Sequence, residues 1–323
     1  MKYSFSKIFK NLALTSCLVA GLSTSSFAVE VDKVHFLIPG GAGGGWDGTA
    51  RGVGEALKKS NLVKETSFEN MSGGGGGKAI AYIIETAKKQ KDTLLVNSTP
   101  IVIRSLQGVF PQSFRDLTLV STVVADYGVL VVNKDSKYNT WADLKAVFNK
   151  NPRKVKIAGG SSRGSMDHLV AAQIFKAAGA DPKSVRYIPY DAGGKALAGL
   201  LTGEVDVLST GLGEVLEKHL KGELKIIGVT SDEPIEGIPS FKSMGTDAFF
   251  ANWRGFFGEP NMSKEKALAY AQIIEKMYTT EEWEIVRKRN GWTNLYKPTN
   301  SFHSFLEEQE KVIGSLMKEM GFL

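Results

Sequence analysis

Apolar residues along this chain fall in two alternating rhythms. Short β-rich runs recur: Val34–Ile38, Thr66–Glu69, Thr93–Asn97, Leu117–Val123, Val129–Val132, Val155–Ala158, Val185–Ile188, Val205–Leu208, Leu224–Val229 and Gly255–Gly258. Between them the spacing shifts to the helical period. Thr140 and Asp143 are spaced as a capping box ahead of Leu144, Val147 and Phe148. Ser165 precedes a helix carrying Val170, Ile174 and Ala177 on one face, closed by Gly179. Ala196, Leu197, Leu200 and Leu201 form a further stripe that ends at Gly203. The last sixty residues read as mostly helical.

Strands alternating with helices predict an α/β fold with mostly parallel sheets. Ten strands in a chain of 323 residues divide more naturally into two lobes of about five than into one domain. No low-complexity linker separates the halves. The expected crossover is therefore made by strands that pass directly from lobe to lobe.

The first 28 residues read differently. Lys2, Lys7 and Lys10 form a basic segment, Leu12–Leu22 is apolar but too short to span a bilayer, and Ser26-Phe27-Ala28 is a small-x-small cleavage site. The expectation is a secretory signal peptide, residues 1–28. A lipoprotein box at Leu14-Thr-Ser-Cys17 is the competing reading. It suits the sequence less well, because six residues separate Lys10 from Cys17 and apolar sequence continues past it. Export follows either way, with a periplasmic location expected. Cys17 is the single cysteine, so cleavage leaves no disulfide, thiolate nucleophile or Cys metal site. Loss of three lysines and no acids takes the formal charge from +6 to +3. That is too mild for nucleic acid and suits anionic ligands. No later apolar run approaches transmembrane length, and the four histidines show no ligand spacing for a metal.

One device recurs four times: a strand, a Gly/Ser loop, then a helix. The loops are Pro39–Gly52 (PGGAGGGWDGTARG), Asn70–Lys78 (NMSGGGGGK), Gly159–Ser165 (GGSSRGS) and Tyr190–Lys195 (YDAGGK). Asp47 or Thr49 is placed to cap the first of these helices. Each loop sits at the carboxyl end of a strand, where open α/β sheets bind ligands. Each also offers free N–H groups at a helix N-terminus, which favours an anion. With two lobes face to face, the four loops line one cleft, joined by the hydroxyls of Ser98, Thr99, Ser161, Ser162 and Ser165.

Two motif matches point to other functions. Gly43-x-Gly45-x-x-Gly48 fits a dinucleotide fingerprint, with Glu69 near the ribose position, but Asp47 would repel the pyrophosphate. The run 73–78 falls short of a P-loop, since Ser72 replaces its first glycine and Ala79 follows the lysine. Gly160-Ser-Ser162-Arg-Gly164 fits a nucleophile elbow, with Asp206 and His219 or His303 in hydrolase order. Neither histidine has a setting that suits a base. His219 lies in a polar helix end and His303 in an amphipathic helix. A secreted serine hydrolase using Ser162 is the alternative. A non-catalytic binding cleft fits the residues better, because it needs donors and no base.

Five segments carry a resemblance to a known family: PGGAGGGWDGTAR (39–51), ENMSGGGGGKA (69–79), AGGSSRGSMDHL (158–169), YIPYDAGGKALAGLLTGEVDV (187–207) and NWRGFFGEPNMSKE (252–265). Over about Val34 to Leu316 the chain resembles the substrate-binding proteins of tripartite tricarboxylate transporters, the Bug or TctC family. The resemblance implies a two-lobed periplasmic-binding-protein fold, type II-like, without catalysis or cofactor. It implies lobes of residues 29–126 plus 246–323 and of residues 127–245, acting as a monomer with membrane permease subunits as partners. It also implies a carboxylate held by Ala42, Gly43, Gly44 and Asp47 in the first lobe and by Ser161, Ser162 and Ser165 in the second. Asp47 would orient water or cap the helix, and Asp191 would accept from a ligand hydroxyl.

Trp46, Ser165-Met-Asp-His168 and Asn252-Trp-Arg254 look like the tricarboxylate branch, which favours citrate or a relative. Arg254 is the first choice for a charge partner, because a guanidinium grips a carboxylate bidentately. A structural ion pair is the competing role for it. Arg163 is the second choice and Arg104 a weaker one. His168 fits a loop brace better than a ligand contact. Two departures bear on the ligand: Glu259 stands in Gly258-Glu-Pro260 where many members are neutral, and Arg163 adds a positive charge.

Overall fold

The computed structural model describes residues 30–323. The signal-peptide reading, residues 1–28 with Cys17, lies outside the described residues. The elements run β1 (Lys33–Ile38), α1 (Gly45–Lys59), β2 (Glu65–Asn70), α2 (Gly77–Glu85), β3 (Thr93–Ser98), α3 (Thr99–Leu106) and β4 (Thr118–Asn133). They continue as α4 (Trp141–Lys150), β5 (Ile157–Gly159), α5 (Met166–Ala177), β6 (Tyr187–Pro189), α6 (Gly193–Leu201), β7 (Val207–Gly211), α7 (Leu216–Leu220) and β8 (Leu224–Val229). The chain ends with β9 (Ala251–Gly258), α8 (Lys264–Met277), α9 (Glu281–Asn290), β10 (Thr293–Asn294) and α10 (Thr299–Glu319).

The strands form one path, β2-β1-β3-β9-β4-β7-β5-β6, with β8 and β10 also paired to β4. Parallel ladders lie toward both ends of the path: β2-β1-β3 at one, β7-β5-β6 at the other. The middle is antiparallel, because β9 and β4 run against their neighbours. The α/β class expected from the sequence is thus present with mixed sheets.

Strand β4 joins the two halves. From Thr118 to Tyr127 it pairs with β9, and from Gly128 to Asn133 with β7 and β8. The sequence suggests two strands here, Leu117–Val123 and Val129–Val132, with Asp126 and Gly128 in the gap between them. The chain instead continues as one strand of sixteen residues. Asp126 is tolerated inside it because Arg254 meets it, and the Gly128 N–H is satisfied by the Thr230 hydroxyl at 2.8 Å. Strand β9 is likewise longer than its expected Gly255–Gly258, starting at Ala251.

Each half is a sheet covered on both faces. On one face of the first half Val53 and Leu57 of α1 pack with Tyr270 and Ile274 of α8 and Trp283 of α9. One face of the second half is covered by Ala196 and Leu200 of α6 with Leu216 of α7. A third cluster runs across both halves, from Ile80, Ile101 and Leu306 to Trp141, Leu144 and Phe175. The Thr140–Asp143 capping box forms as its spacing predicts. Among the described residues, no helix is long and apolar enough to cross a membrane.

Candidate functional site

The carboxyl ends of β1, β2, β3, β5, β6 and β7 open onto one cavity of about 530 Å3, within the usual range for small-molecule sites. Its wall carries all four glycine-rich loops: Gly40–Gly41 and Gly44–Trp46, Ser72–Gly76, Gly160–Arg163, and Tyr190–Gly193. The two halves of the molecule meet there through bare backbone. A Cβ on Gly41 would come within 2.8 Å of the Ala192 Cβ, and one on Gly194 within 3.2 Å of the Ala42 carbonyl oxygen. Ser72 Oγ and Asp191 Oδ1, 3.4 Å apart, also reach between the halves, as does the Gln107 amide, which donates to the Gly164 carbonyl at 3.1 Å.

The helices that start at this cavity share a property. The N-cap residues of α1, α2, α3, α5 and α6 are Gly44, Gly76, Ser98, Ser165 and Ala192, and none caps its helix with its own side chain (nor do those of α7 and α10). α4, α8 and α9 start elsewhere and are each capped by a Ser or Thr hydroxyl. Some first-turn N–H groups are taken from outside the cap position: Asn252 accepts from Thr99 on α3, where Pro100 has no N–H, Ser161 accepts from Asp167 on α5, and loop carbonyls accept from Gly77 and Lys78 on α2. The N–H groups that remain, foremost on α1 and α6, are left for a ligand, with the helix macrodipoles favouring negative charge.

Of the residues singled out from the sequence, Gly44, Trp46, Ser98, Ser161, Ser162, Arg163, Ser165, Asp191 and Arg254 line the cavity. Ala42, Gly43, Asp47 and Thr99 do not. Asp47 sits inside the first turn of α1 and braces the loop: it accepts from the Gly43 N–H at 3.0 Å, from Arg51 Nε at 2.9 Å and from the Asn70 amide at 3.0 Å. The expected cap by Asp47 or Thr49 is replaced by Gly44 at the cap position, because the helix starts earlier, at Gly45. Thr49 instead donates to the Gly45 carbonyl. The Thr99 N–H points to Asn252 Oδ1 at 3.3 Å. Ser98 Oγ accepts from the Trp46 indole at 2.9 Å, which sets the ring against the loop.

The third loop is braced from below. Ser161 Oγ accepts from the Asp167 N–H at 3.0 Å, and the Tyr187 hydroxyl donates to the Ser161 carbonyl at 2.7 Å. Arg163 donates to the Tyr187 carbonyl at 2.6 Å. His168 accepts from the Gly164 N–H at 3.0 Å, its ring stacked on Tyr187 and packed against Phe322. Burial, aided by nearby Arg163, pulls the imidazole down to about 4, so it is neutral and serves as the brace expected of it.

Arg254 is 2% exposed and committed to protein partners. It donates to Asp126 Oδ2 at 2.5 Å, to the Gly45 carbonyl at 2.7 Å and to Thr49 Oγ1 at 2.8 Å. Around it stand three carboxyls that sequence reasoning did not place in the site: Asp126, Asp167 and Glu214. Burial raises Asp126 against the pull of Arg254. Burial also lifts Asp167 to about 6, and burial with the charge of Asp167 lifts Glu214 to about 8. Glu214 therefore keeps its proton at neutral pH. Its only sequence signal is its place just beyond β7, at the same sheet end as the loops.

The partners expected for a Ser162 nucleophile are occupied elsewhere. Asp206 accepts from the Lys156 N–H at 2.8 Å, His219 from the Ile226 N–H at 3.3 Å, and His303 pairs with Glu307 at 3.7 Å on α10. Glu259, the departure in the return segment, accepts from the Asn261 N–H at 2.6 Å and does not line the cavity.

Comparison with known proteins gives the cleft its context. The model of the tripartite tricarboxylate transporter family receptor matches residues 49–322. The chain belongs to that family. Among curated relatives, a UPF0065 protein in the tcbD-tcbE intergenic region of Pseudomonas sp. strain P51 is 24% identical over 292 residues, covering 84% of this chain and 85% of the relative. Among solved structures, one described as a periplasmic transporter superposes with a TM-score of 0.82 at 17% identity, covering 91% of this chain and 99% of the other. Rpa4515 of R. palustris with adipate gives 0.78 at 18% identity, covering 90% of this chain and 97% of the other. These likenesses show that the receptor family member has the two-lobed fold of periplasmic binding proteins.

Proposed function

We propose that this receptor captures a small carboxylate in the cavity between its two halves and delivers it to the membrane permease subunits of a tripartite tricarboxylate transporter. The observation that carries the proposal is the convergence on one cavity wall of four glycine-rich loops and of five helix N-termini whose N-cap residues supply no side-chain cap. Backbone N–H groups there hold a carboxylate as a neutral, prearranged donor set. The cavity residues Gly44, Trp46, Ser98, Ser162, Arg163, Ser165 and Asp191 form the contact set in this reading, while Asp47, His168 and Ser161 hold the loops in shape. The lobes divide as residues 29–126 plus 246–323 and 127–245, and β4 serves as part of the hinge.

Binding selects the closed arrangement, because only there do both halves touch the ligand. The protein works in the periplasm as a monomer after loss of its signal peptide, and it catalyses no reaction. Adipate in the R. palustris structure supports a carboxylate as ligand. The tricarboxylate-like segments of the sequence put citrate among the candidates. A thermal-shift screen against mono-, di- and tricarboxylates tests the reading. Ligand that binds only the folded form raises the melting temperature by mass action. A saturable rise with a carboxylate supports it, and the absence of any rise across the three classes refutes it.

A further inference from the structure

Two cations on the cavity wall, Arg104 and Arg163, have no carboxylate within ion-pair distance among the described residues; Arg163 is turned to the Tyr187 carbonyl, and Arg104 is the more deeply buried. Arg104, on α3, lines the cavity and is 5% exposed. Its Nη1 donates to Gln107 Oε1 at 2.7 Å, and its Nε is buried without a hydrogen-bond partner. Among the described residues, no carboxylate lies within ion-pair distance of it. Burial pulls its pKa down, opposed by Tyr187 and by no carboxylate. The guanidinium lies across the glycine run of the second loop, where a Cβ on Gly75 would stand 2.9 Å from Nε. Gly75 is also in the left-handed region, at φ +65°, so glycine is required there on both counts. Gln107 carries the arrangement onward to the Gly164 carbonyl on the opposite wall.

A buried, uncompensated charge is costly unless something pairs with it. Arg254 shows the paired case: equally buried, but matched by Asp126 at 2.5 Å. No carboxylate among the described residues does this for Arg104, which lines the cavity. We propose that Arg104 receives the second carboxylate of a dicarboxylate whose first carboxylate sits at the uncapped helix N-termini. The inference rests on the receptor reading above and narrows it. Arg163 spends its guanidinium on the Tyr187 carbonyl, and the carboxyls Asp167 and Glu214 on the wall oppose a third negative charge, so the cavity suits two carboxylates rather than three. Dicarboxylates are therefore preferred over citrate.

Calorimetric titration with adipate, hexanoate and citrate, on the purified protein and on Arg104→Gln and Arg104→Lys, tests this. The unaltered protein should bind adipate more tightly than hexanoate and citrate. Arg104→Gln should weaken adipate by roughly ten- to hundredfold, the scale of a hydrogen bond to a charged group, and leave hexanoate unchanged. Arg104→Lys should recover part of the loss. The melting temperature without ligand should hold or rise in Arg104→Gln, since an unpaired buried charge is removed. An unchanged adipate-to-hexanoate ratio in Arg104→Gln overturns the assignment while leaving the receptor reading intact. A large drop in unliganded melting temperature in that variant overturns it too, by making Arg104 structural. Tighter binding of citrate than adipate refutes the dicarboxylate preference. Absence of binding to all three acids refutes this inference, and the receptor reading falls only if the wider screen is also blank.

Discussion

Replacing Glu214 by Gln should change how stability depends on pH. Glu214 faces Asp167, Asp126, Arg254 and the Thr210 hydroxyl, with its Oε1 4.0 Å from Arg254 Nη2. Its pKa is about 8 in the folded protein, against 4.5 for an unperturbed Glu. Between those values the folded state holds a proton that the unfolded chain has lost, so stability falls as pH rises. Asp167, raised from 3.8 to about 6, acts in the same sense but is finished by pH 6. His168 acts oppositely, since its descent from 6.5 to about 4 costs stability as pH falls through that window. Above pH 6.5 Glu214 is thus the one displaced group of the three still titrating. One proton is worth about 1.4 kcal/mol per pH unit. From pH 6.5 to 8 the loss is about 1.5–2 kcal/mol, or a fall of roughly 3–5 °C in melting temperature for a chain of this size. Melting curves followed by circular dichroism across that window read it directly. Glu214→Gln keeps the neutral shape and should flatten the slope. An equal slope in the variant, or a flat profile in the unaltered protein, would refute the assignment of the proton to Glu214.

The same ionisation places a negative charge on the cavity wall, so carboxylate affinity measured by titration should weaken as pH passes about 8, and Glu214→Gln should remove that dependence. Asp126→Asn leaves Arg254 buried without its counter-charge and should cost about 3–5 kcal/mol in urea unfolding. The double change with Arg254→Met should recover much of that, because an apolar replacement needs no partner. Gly41→Val places a branched side chain where even a Cβ meets Ala192 at 2.8 Å. It should hold the halves apart, lowering affinity while leaving the unliganded melting temperature nearly unchanged, and small-angle scattering with ligand should report a larger radius than for the unaltered protein.

Local rules carried the sequence a long way toward this fold. The Thr140–Asp143 box, the Ser165 start and the stripe ending at Gly203 are set within a few residues, so periodicity and cap chemistry find them. The continuous β4 is not local. Whether Asp126 ends a strand or sits inside one depends on Arg254, which lies 128 residues further along the chain. The acid cluster hides for the same reason. Asp126 lies in the middle of β4, while Asp167 and Glu214 come from the β5–α5 and β7–α7 transitions, and nothing in their own neighbourhoods marks them as one cluster. Arg254 and Arg104 invert the expectation most clearly. The sequence favours Arg254 because it stands in a family-like segment, yet the fold supplies it with Asp126 and leaves Arg104 unpaired beside the glycine run. Charge compensation is a property of the assembled site, so residue type alone cannot rank two arginines. The glycine loops were legible because their function is carried by the backbone: four strand–loop–helix transitions at one sheet end converge whatever side chains surround them. On the proposed reading, the backbone grips the carboxylate that such ligands share, and the few unpaired side chains, Arg104 first among them, decide which ligand is retained.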